Sequence, residues 1–324
     1  MTHHILVPDN LDKAGLNILS AAPETTVQAA PKMSRDEVIA AIPNADALII
    51  RSATRVDGAM LDAAPKLKLV GRAGVGVDNV DLKAATERGV IVMNAPDGNT
   101  IATAELALAL MLSVARFIPA AHASLKGGEW DRKSFTGTEL RNKTLGVIGF
   151  GRVGRAVAKR AQAFDMTVIA YDPFISVEAG KALSVEMVAL DTLFARADYI
   201  TLHAQLTEDN QRLVNAQSLA KMKKGVRIIN AARGALIDEA ALAEAIKSGH
   251  VAGAGIDVYP EEPPEPGNPL IGLKGVVHTP HLGASTVEAQ DEVAVQIAQQ
   301  TLDALRSGTY KNVVNPDVLE RKKV

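Results

Sequence analysis

Three polar stretches in the second half of the chain contain residues that could do chemistry. Each directly follows a predicted strand, and they are Asn230–Gly234, Asp257–Pro264 and His278–Gly283. Ligands bind at the carboxyl ends of the strands in an open parallel sheet, so Arg233, one acid of the Glu261–Glu262 pair and His281 could converge there. Each residue taken singly also has an ordinary interpretation as a surface or turn residue. Together they suit reduction of a 2-oxo acid, because histidine transfers protons near neutral pH and the arginine fork binds carboxylate and carbonyl oxygens at once.

A glycine motif upstream of these stretches predicts a bound dinucleotide. Gly149-Phe150-Gly151-Arg152-Val153-Gly154 follows a strand-like run and opens an apolar-periodic helix. Gly149 allows a tight turn, Gly151 lets the backbone approach a diphosphate at the helix N-terminus, and Gly154 allows close packing. Glycine-rich turns also serve purely structural ends, but here a second predicted strand ends at Asp172. An acid at that position accepts hydrogen bonds from a ribose and repels a 2′-phosphate, which favours NAD over NADP.

Composition limits the classes of protein to consider. The 324 residues suggest two domains, and 47% hydrophobic with only 3% aromatic residues suits helices packed on a buried parallel sheet. A formal net charge of −2 gives no reason to expect nucleic acid or membrane binding. The absence of cysteine excludes disulfides, thiolate metal sites and cysteine nucleophiles. No apolar run has membrane-spanning length and the first residues lack a secretion signal, so we expect a cytoplasmic protein.

The chain alternates predicted strands and helices in two series, which indicates parallel sheets. The glycine motif lies in the middle of the chain, so the nucleotide-binding domain is expected to be an insert, residues 98–285, within a discontinuous domain of residues 1–97 and 286–324. A long helix is predicted from Thr103 to about Ala115. Ser285 to Glu288 has the form of a capping box and is expected to open a final helix to about Leu305.

Nearly the whole chain resembles the D-isomer-specific 2-hydroxyacid dehydrogenase family. The matching stretches are the glycine motif, Arg51–Thr54, Gly71–Asn79, Gly137–Leu140, Asn230–Gly234, Asp257–Pro264 and Pro280–Thr286. Within the family, the resemblance is greatest to members that interconvert 3-phosphoglycerate and 3-phosphohydroxypyruvate in the first step of serine biosynthesis. It implies two doubly wound α/β domains, a Rossmann NAD-binding domain inserted into a flavodoxin-like substrate-binding domain.

The resemblance also implies roles for individual residues. Arg233 would orient the substrate, His281 would be the acid/base, and Glu262 would hold and tune the histidine. The substrate-binding residues would be Arg51, Arg72, Gly74, Val75, Gly76 and Arg132, the last contributed by a partner subunit through a dimerisation arm. The cofactor-binding residues would be Gly149, Gly151, Arg152, Val153, Gly154, Asp172, Thr103, His203, Thr207, Ala231, Ala232, Asp257 and Gly283. The expected partners are a small 2-oxo or 2-hydroxy acid and a second copy of the chain.

Two departures from the family pattern and two alternative functions accompany this interpretation. His203-Ala204-Gln205-Leu206 stands where the family often has His-x-Pro-Leu, and the sequence ends at Val324 without the regulatory domains of longer members, so feedback by serine is not expected. The alternatives are a reductase of hydroxypyruvate or glyoxylate, and an NAD-sensing protein like the corepressors that share this fold. The pair His278 and His281 could suggest a metal site, but no further ligand stands at suitable spacing, and none is predicted.

Overall fold

The computed structural model describes residues 2–321, which form two α/β units. One comprises the residues up to Asn99 together with those from Ala284 onward, and the other is Thr100–Gly283. Residues 1 and 322–324, which the predicted substrate-binding domain includes at its ends, lie outside the described residues. Within the described range no single helix is long and apolar enough to span a membrane. One pair of helices joined at a bend, Thr100–Arg116 and Ile118–Lys126, has the length and apolar composition of a span only when the two helices are taken together.

The strands of the described residues are short, and those of the first unit end where polar loops begin. They are β1 (His3–Val7), β2 (Thr25–Ala29), β3 (Ala47–Ile50), β4 (Leu69–Arg72), β5 (Ile91–Asn94), β6 (Thr144–Ile148), β7 (Thr167–Tyr171), β8 (Glu186–Met187), β9 (Tyr199–Leu202), β10 (Val226–Asn230), β11 (Val251–Ile256) and β12 (Val276–His278).

The helices of the same residues alternate with these strands. They are α1 (Lys13–Ala21), α2 (Arg35–Ala41), α3 (Gly58–Asp62), α4 (Leu82–Glu87), α5 (Thr100–Arg116), α6 (Ile118–Lys126), α7 (Arg152–Gln162), α8 (Val177–Lys181), α9 (Leu190–Arg196), α10 (Ala216–Lys221), α11 (Glu239–Lys247), α12 (Val287–Ser307) and α13 (Asp317–Arg321). Short 3₁₀ turns occur at Ile42–Asn44, Glu208–Asn210 and Gly234–Leu236.

Both sheets are parallel throughout, as the sequence predicts. The first unit has the order β2-β1-β3-β4-β5, which is that of flavodoxin-like folds, and its order reverses between β1 and β3. The second unit has the order β12-β11-β10-β9-β6-β7-β8, a Rossmann order with a seventh strand, and it reverses between β6 and β9. Ligands bind at such switch points.

The strands are apolar because helices cover both faces of each sheet. In the first unit, α1 packs on α12 so closely that a Cβ atom at Gly15 would lie 2.6 Å from the carbonyl oxygen of Ala294. Helix α12, from the end of the chain, thus completes a core that begins with β1.

The two predicted series of alternating strands and helices are confirmed, and the two long helices extend slightly beyond their predicted ends. The expected capping box at Ser285 is wrong. Thr286 is the N-cap of α12, and its side chain accepts a hydrogen bond from Ala289 N. Two adjacent hydroxyl residues offer two possible caps, and the path of the preceding chain selects the second.

Candidate functional site

The glycine turn joins the end of β6 to the start of α7 and has the geometry of a diphosphate cradle. Gly149 has a φ of 89°, and a Cβ atom on it would lie 2.5 Å from Ala204 N. At Gly154 a Cβ atom would lie 2.1 Å from the Gly149 carbonyl oxygen. At Gly151 the Cβ position is open, with nothing of the described chain beyond its neighbours within 4 Å. Larger residues would therefore disrupt the turn or fill the space above it.

The start of α7 is suited to an anion. Gly151 is its N-cap, and no side chain of residues 2–321 caps that end of the helix. The first N–H groups of a helix lack partners within the helix and carry its positive dipole end. Arg152 and Val153 form the first turn, and Arg152 is exposed. These residues fit the diphosphate of a dinucleotide.

Asp172 stands directly after β7 and holds the glycine turn. Its Oδ2 accepts a hydrogen bond of 2.8 Å from Phe150 N, and its Oδ1 accepts one of 2.9 Å from Phe174 N. Each carboxylate oxygen has a second lone pair that can accept from a hydroxyl. The carboxylate therefore lies beside the turn, as an acid that reads a ribose must.

His203 follows β9, on the other side of the switch point from the glycine turn. Its Nε2 lies 2.8 Å from the Thr201 hydroxyl, and burial lowers the pKa of the imidazole to about 4, so the ring is neutral at pH 7. The backbone of His203 and Ala204 contacts Gly149. Thr207 lies further along the same loop, is exposed, and donates its N–H to Asn210 Oδ1.

Asp257 is fully buried directly after β11 and organises the loop that follows β12. Its Oδ1 accepts from the Thr279 hydroxyl at 2.7 Å and from Leu282 N at 2.7 Å, and its Oδ2 accepts from Gly283 N at 3.0 Å. Its own carbonyl oxygen accepts from His281 N. In this structure the side chain expected near the nicotinamide is thus also the clamp of the loop that carries His281.

Thr103 ties the same loop to α5. Its hydroxyl donates a hydrogen bond of 3.0 Å to the Gly283 carbonyl oxygen, and both residues are buried. Two residues predicted from the resemblance to bind the cofactor, Thr103 and Gly283, are therefore in direct contact.

The structure brings His281 and Glu262 together. His281 Nδ1 lies 2.6 Å from Glu262 Oε2, so the ring donates that N–H to the carboxylate. Tyr259 N donates to the other oxygen, Oε1, at 3.1 Å. The His281 side chain is 51% exposed. The ring is thus held at one nitrogen while the residue remains accessible.

The pair shifts the pKa of both partners. The hydrogen bond to Glu262 raises the pKa of His281 above 6.5, against burial and the Arg233 charge, which lower it. Burial raises the pKa of Glu262, but the hydrogen bonds from His281 and Tyr259 N lower it more, so it lies below 4.5. The raised histidine pKa stabilises the fold fully below pH 6.5 and ceases to do so as pH rises through the folded value. The lowered glutamate pKa stabilises it above pH 4.5 and ceases to do so as pH falls through the folded value.

Arg233 lies near this pair, since its charge affects the pKa of both partners. It is the last residue of the turn 230–233 after β10, where Asn230 is 1% exposed and its side chain binds the backbone of the last two residues of the turn. Asn230 Oδ1 accepts from Ala232 N, and Asn230 Nδ2 donates to the Arg233 carbonyl oxygen. Ala231, which the resemblance assigns to the cofactor, lies buried in this turn.

In the first unit, the predicted carboxylate-binding loop Gly74–Gly76 follows β4. Gly74 has a φ of 145°, and the Arg72 guanidinium occupies the place where its Cβ would be. The Gly74 carbonyl oxygen accepts from Ala95 N, and the Val75 carbonyl oxygen accepts from Asn94 Nδ2 at 2.7 Å. The loop is thus held from the end of β5, and Arg51 follows β3 on the same unit.

Arg132 lies in the stretch after α6 and is exposed. None of the residues of α6 is buried within the described chain, and Ile118, Leu125 and Trp130 expose apolar surface, Trp130 at 80%. This segment is the predicted dimerisation arm.

Three residues that hold the site have no role predicted from the sequence. Thr279 binds Asp257, Asn230 forms the arginine turn, and Asn94 holds the Gly74–Gly76 loop. Each stands at or just past the carboxyl end of a strand, and that position is the one signal that could have identified them. His278 Nδ1 lies 3.5 Å from the Tyr259 hydroxyl, and the described residues contain no group of three His, Asp or Glu side chains that could hold a metal ion.

Comparison with known proteins gives the following matches. A family model described as D-isomer specific 2-hydroxyacid dehydrogenase, NAD binding domain, matches residues 108–283. The chain is 52% identical over 288 residues to D-3-phosphoglycerate dehydrogenase of Archaeoglobus fulgidus, covering 89% of this chain and 55% of the relative. It is 49% identical over 320 residues to the protein of that name from Methanocaldococcus jannaschii, and the match covers 98% of this chain and 60% of the relative. The chain therefore spans little more than half the length of these relatives.

A solved structure of a glyoxylate reductase from Paecilomyes thermophila is also similar. It is 30% identical, with a TM-score of 0.87, and the match covers 97% of this chain and 98% of that one.

The effect of Glu262 on His281 can be measured directly. Glu262→Gln keeps an oxygen that can accept from Nδ1 but removes the charge, so we expect the pKa of His281 to fall. An NMR titration of the histidine resonances measures this, with Glu261→Gln, the exposed neighbouring acid, as the matched control. Equal shifts in both variants, or none in Glu262→Gln, would contradict the pairing.

Proposed function

Because the chain belongs to the D-isomer-specific 2-hydroxyacid dehydrogenase family, we propose that it interconverts 3-phosphoglycerate and 3-phosphohydroxypyruvate with NAD. The observation that carries this proposal is the hydrogen bond between His281 and Glu262 beside Arg233. Relatives about half identical over most of the chain are named D-3-phosphoglycerate dehydrogenase, which favours the phosphorylated substrate.

Each residue of this set has a separate task in the proposed reaction. NADH, when bound, would supply the hydride for the carbonyl carbon of the oxo acid. His281 donates a proton to the carbonyl oxygen from Nε2, since Nδ1 is bound to Glu262. The raised pKa keeps His281 protonated further into the neutral range, and Glu262 stabilises the cation. Arg233 binds the substrate carboxylate and carbonyl, which fixes the carbon that is reduced.

The first unit is proposed to recognise the rest of the substrate. Backbone N–H groups of Gly74–Gly76 would bind the carboxylate, and Arg51 and Arg72 would bind the phosphate. Arginine suits a phosphate because its planar fork makes two parallel charge-assisted hydrogen bonds. The remaining residues assigned by resemblance, including His203, Thr207 and Ala232, would bind the dinucleotide.

Asp172 is proposed to select NAD over NADP. Its carboxylate lies next to the glycine turn, where it can accept hydrogen bonds from ribose hydroxyls. A 2′-phosphate at that place would meet a like charge.

We assign α6 and the segment that follows it to a homodimer contact. None of the residues of α6 is buried by the rest of residues 2–321, and the tryptophan that follows the helix is largely exposed. Exposed apolar surface of this kind marks a site of contact with another protein surface. A second copy of the chain would cover this surface and would bring Arg132 to the substrate of its partner.

Two other functions remain to be tested against this one. A glyoxylate or hydroxypyruvate reductase is favoured by the similarity to the fungal glyoxylate reductase. An NAD-sensing corepressor-like protein would bind NADH tightly without turning over a 2-oxo acid.

The proposed phosphate-binding arginines should distinguish a phosphorylated substrate from an unphosphorylated one. Arg72→Ala is expected to lower kcat/KM for 3-phosphohydroxypyruvate by about 10- to 100-fold, since a hydrogen bond to a charged group contributes about 1.5–3 kcal/mol. Turnover of glyoxylate, which has no phosphate, should change little. NADH oxidation measures both.

Arg88→Ala is the matched control for Arg72→Ala. Arg88 follows α4 just before β5 begins, so it lies at the amino edge of the same sheet, and it pairs with Asp62. Equal losses on both substrates in Arg72→Ala would favour the reductase of unphosphorylated acids. Tight NADH binding with no turnover of any 2-oxo acid would favour the sensor.

The cofactor preference can be tested by removing one charge. Wild-type protein is expected to prefer NADH, and Asp172→Asn should raise the ratio of kcat/KM for NADPH to that for NADH by about tenfold, because a like-charge contact is removed. Steady-state kinetics with both cofactors measures the ratio. Equal use of both by the wild type would refute the role of Asp172.

The proposed dimer predicts a mass of twice 34.1 kDa in sedimentation equilibrium. Leu125→Glu places a charge on the exposed face of α6 and should shift the protein towards the monomer. Phe174→Glu, on an exposed loop elsewhere in the same unit, is the control and should remain dimeric. A wild-type monomer, or a Leu125→Glu variant that stays dimeric, would rule out this contact.

A further inference from the structure

A buried acid in the first unit has no role in the chemistry described so far. Asp9 lies two residues past the end of β1 and is 4% exposed. We propose that Asp9 is a positioning residue for Arg51, and that it does so by fixing the backbone of residues 51–54, called here the Arg51 loop. This inference rests on the proposed function, in which Arg51 binds the phosphate of the substrate.

Asp9 binds the Arg51 loop at both of its ends. Its Oδ2 accepts from Arg51 N at 2.6 Å and from Thr54 N at 3.2 Å. Its Oδ1 accepts from the Thr54 hydroxyl at 2.7 Å, and Thr54 is itself buried. One carboxyl group thus satisfies three donors of a loop that has four residues.

Asn79 holds the same loop through its carbonyl groups. Asn79 Nδ2 donates to the Arg51 carbonyl oxygen at 2.7 Å and to the Thr54 carbonyl oxygen at 2.6 Å. The guanidinium of Arg51 is also fixed, because Nη1 donates to the Asn10 carbonyl oxygen at 2.9 Å. The N–H, the carbonyl oxygen and the side chain of Arg51 are therefore all held.

The partners of this carboxyl group indicate what it does. Burying an acid is unfavourable unless it is hydrogen-bonded, so the donors that Asp9 satisfies account for its presence. The Asp9 side chain makes its three hydrogen bonds to one loop, and that loop carries the arginine. What they secure is a defined position for Arg51.

The position of the loop in the sheet supports this role. Asp9 follows β1 and Arg51 follows β3, and these neighbouring strands flank the point where the strand order of the first unit reverses. Ligands bind outside the carboxyl ends of the strands at such a point. A preorganised arginine there binds an anion with less loss of conformational entropy on binding.

The experiment is a double-mutant cycle with substrate kinetics. Asp9→Ala should raise KM for 3-phosphohydroxypyruvate by about tenfold, comparable to the loss of one charged hydrogen bond, while kcat and KM for NADH change less than about twofold. In an Arg51→Ala background, which itself raises that KM, Asp9→Ala should add little, because both substitutions remove the same interaction.

Asp9→Asn is the matched control. Its amide oxygen can accept from the two N–H groups while its NH₂ group donates to the Thr54 hydroxyl, so the three hydrogen bonds can be kept. This variant should stay within about threefold of the wild-type KM, given the retained contacts. Thr54→Val, which removes one donor, provides a milder test if Asp9→Ala folds poorly, and it should raise the same KM without changing kcat.

Additive effects in the cycle, or equal changes in kcat and in both KM values, would overturn the role of Asp9. If the wild type does not turn over the phosphorylated acid, or Arg51→Ala leaves its KM unchanged, the proposed function fails instead. Hydrogen exchange of the peptide that covers the Arg51 loop then decides the positioning role by itself. Faster exchange in Asp9→Ala but not in Asp9→Asn supports it, and unchanged exchange refutes it.

Discussion

The loops that carry the candidate site are held by acids at the carboxyl ends of neighbouring strands. Asp9 follows β1 and binds the loop after β3, Asp172 follows β7 and binds the loop after β6, and Asp257 follows β11 and binds the loop after β12. In each case the two strands are adjacent in the sheet. Buried N–H groups of a loop need hydrogen-bond acceptors. A carboxyl group one or two residues past a strand places two oxygens within reach of the loop that follows the neighbouring strand.

This arrangement links the strand order to the chemistry of each unit. Strands covered on both faces must be apolar, so polar residues are confined to the strand ends, and the order of the strands decides which ends are neighbours. In the second unit the switch point brings the glycine turn against His203 and presents backbone N–H groups. In the first unit the corresponding position presents Arg51, a side-chain cation. A switch point in each sheet thus presents donors of a different kind, backbone N–H groups in one unit and a guanidinium in the other.

The sequence predicts the elements well but not the contacts that fix the loops. Apolar runs bounded by turn residues identify the main strands, whereas β8, with two residues, is too short to show any periodicity. The glycine turn was predictable from the pattern of its residues, and the partnership of Glu262 with His281 was predictable from the family resemblance. Asp9, Asn94 and Thr279 were not, because a single polar residue after a strand looks like any turn residue. Its partner depends on which strand lies beside it, and that is decided by tertiary structure.

His281 illustrates how such contacts support an unusual backbone. Its φ of 55° lies in the left-handed region, which costs a residue with a Cβ atom about 1–2 kcal/mol. The N–H groups of His281, Leu282 and Gly283 all donate to Asp257, and each such bond contributes about 1 kcal/mol. These three bonds are enough to offset the strain, and they are made by consecutive residues of one tight turn. The conformation of His281 and the burial of Asp257 are therefore a single arrangement, and it directs the imidazole to Glu262 while the side chain stays half exposed.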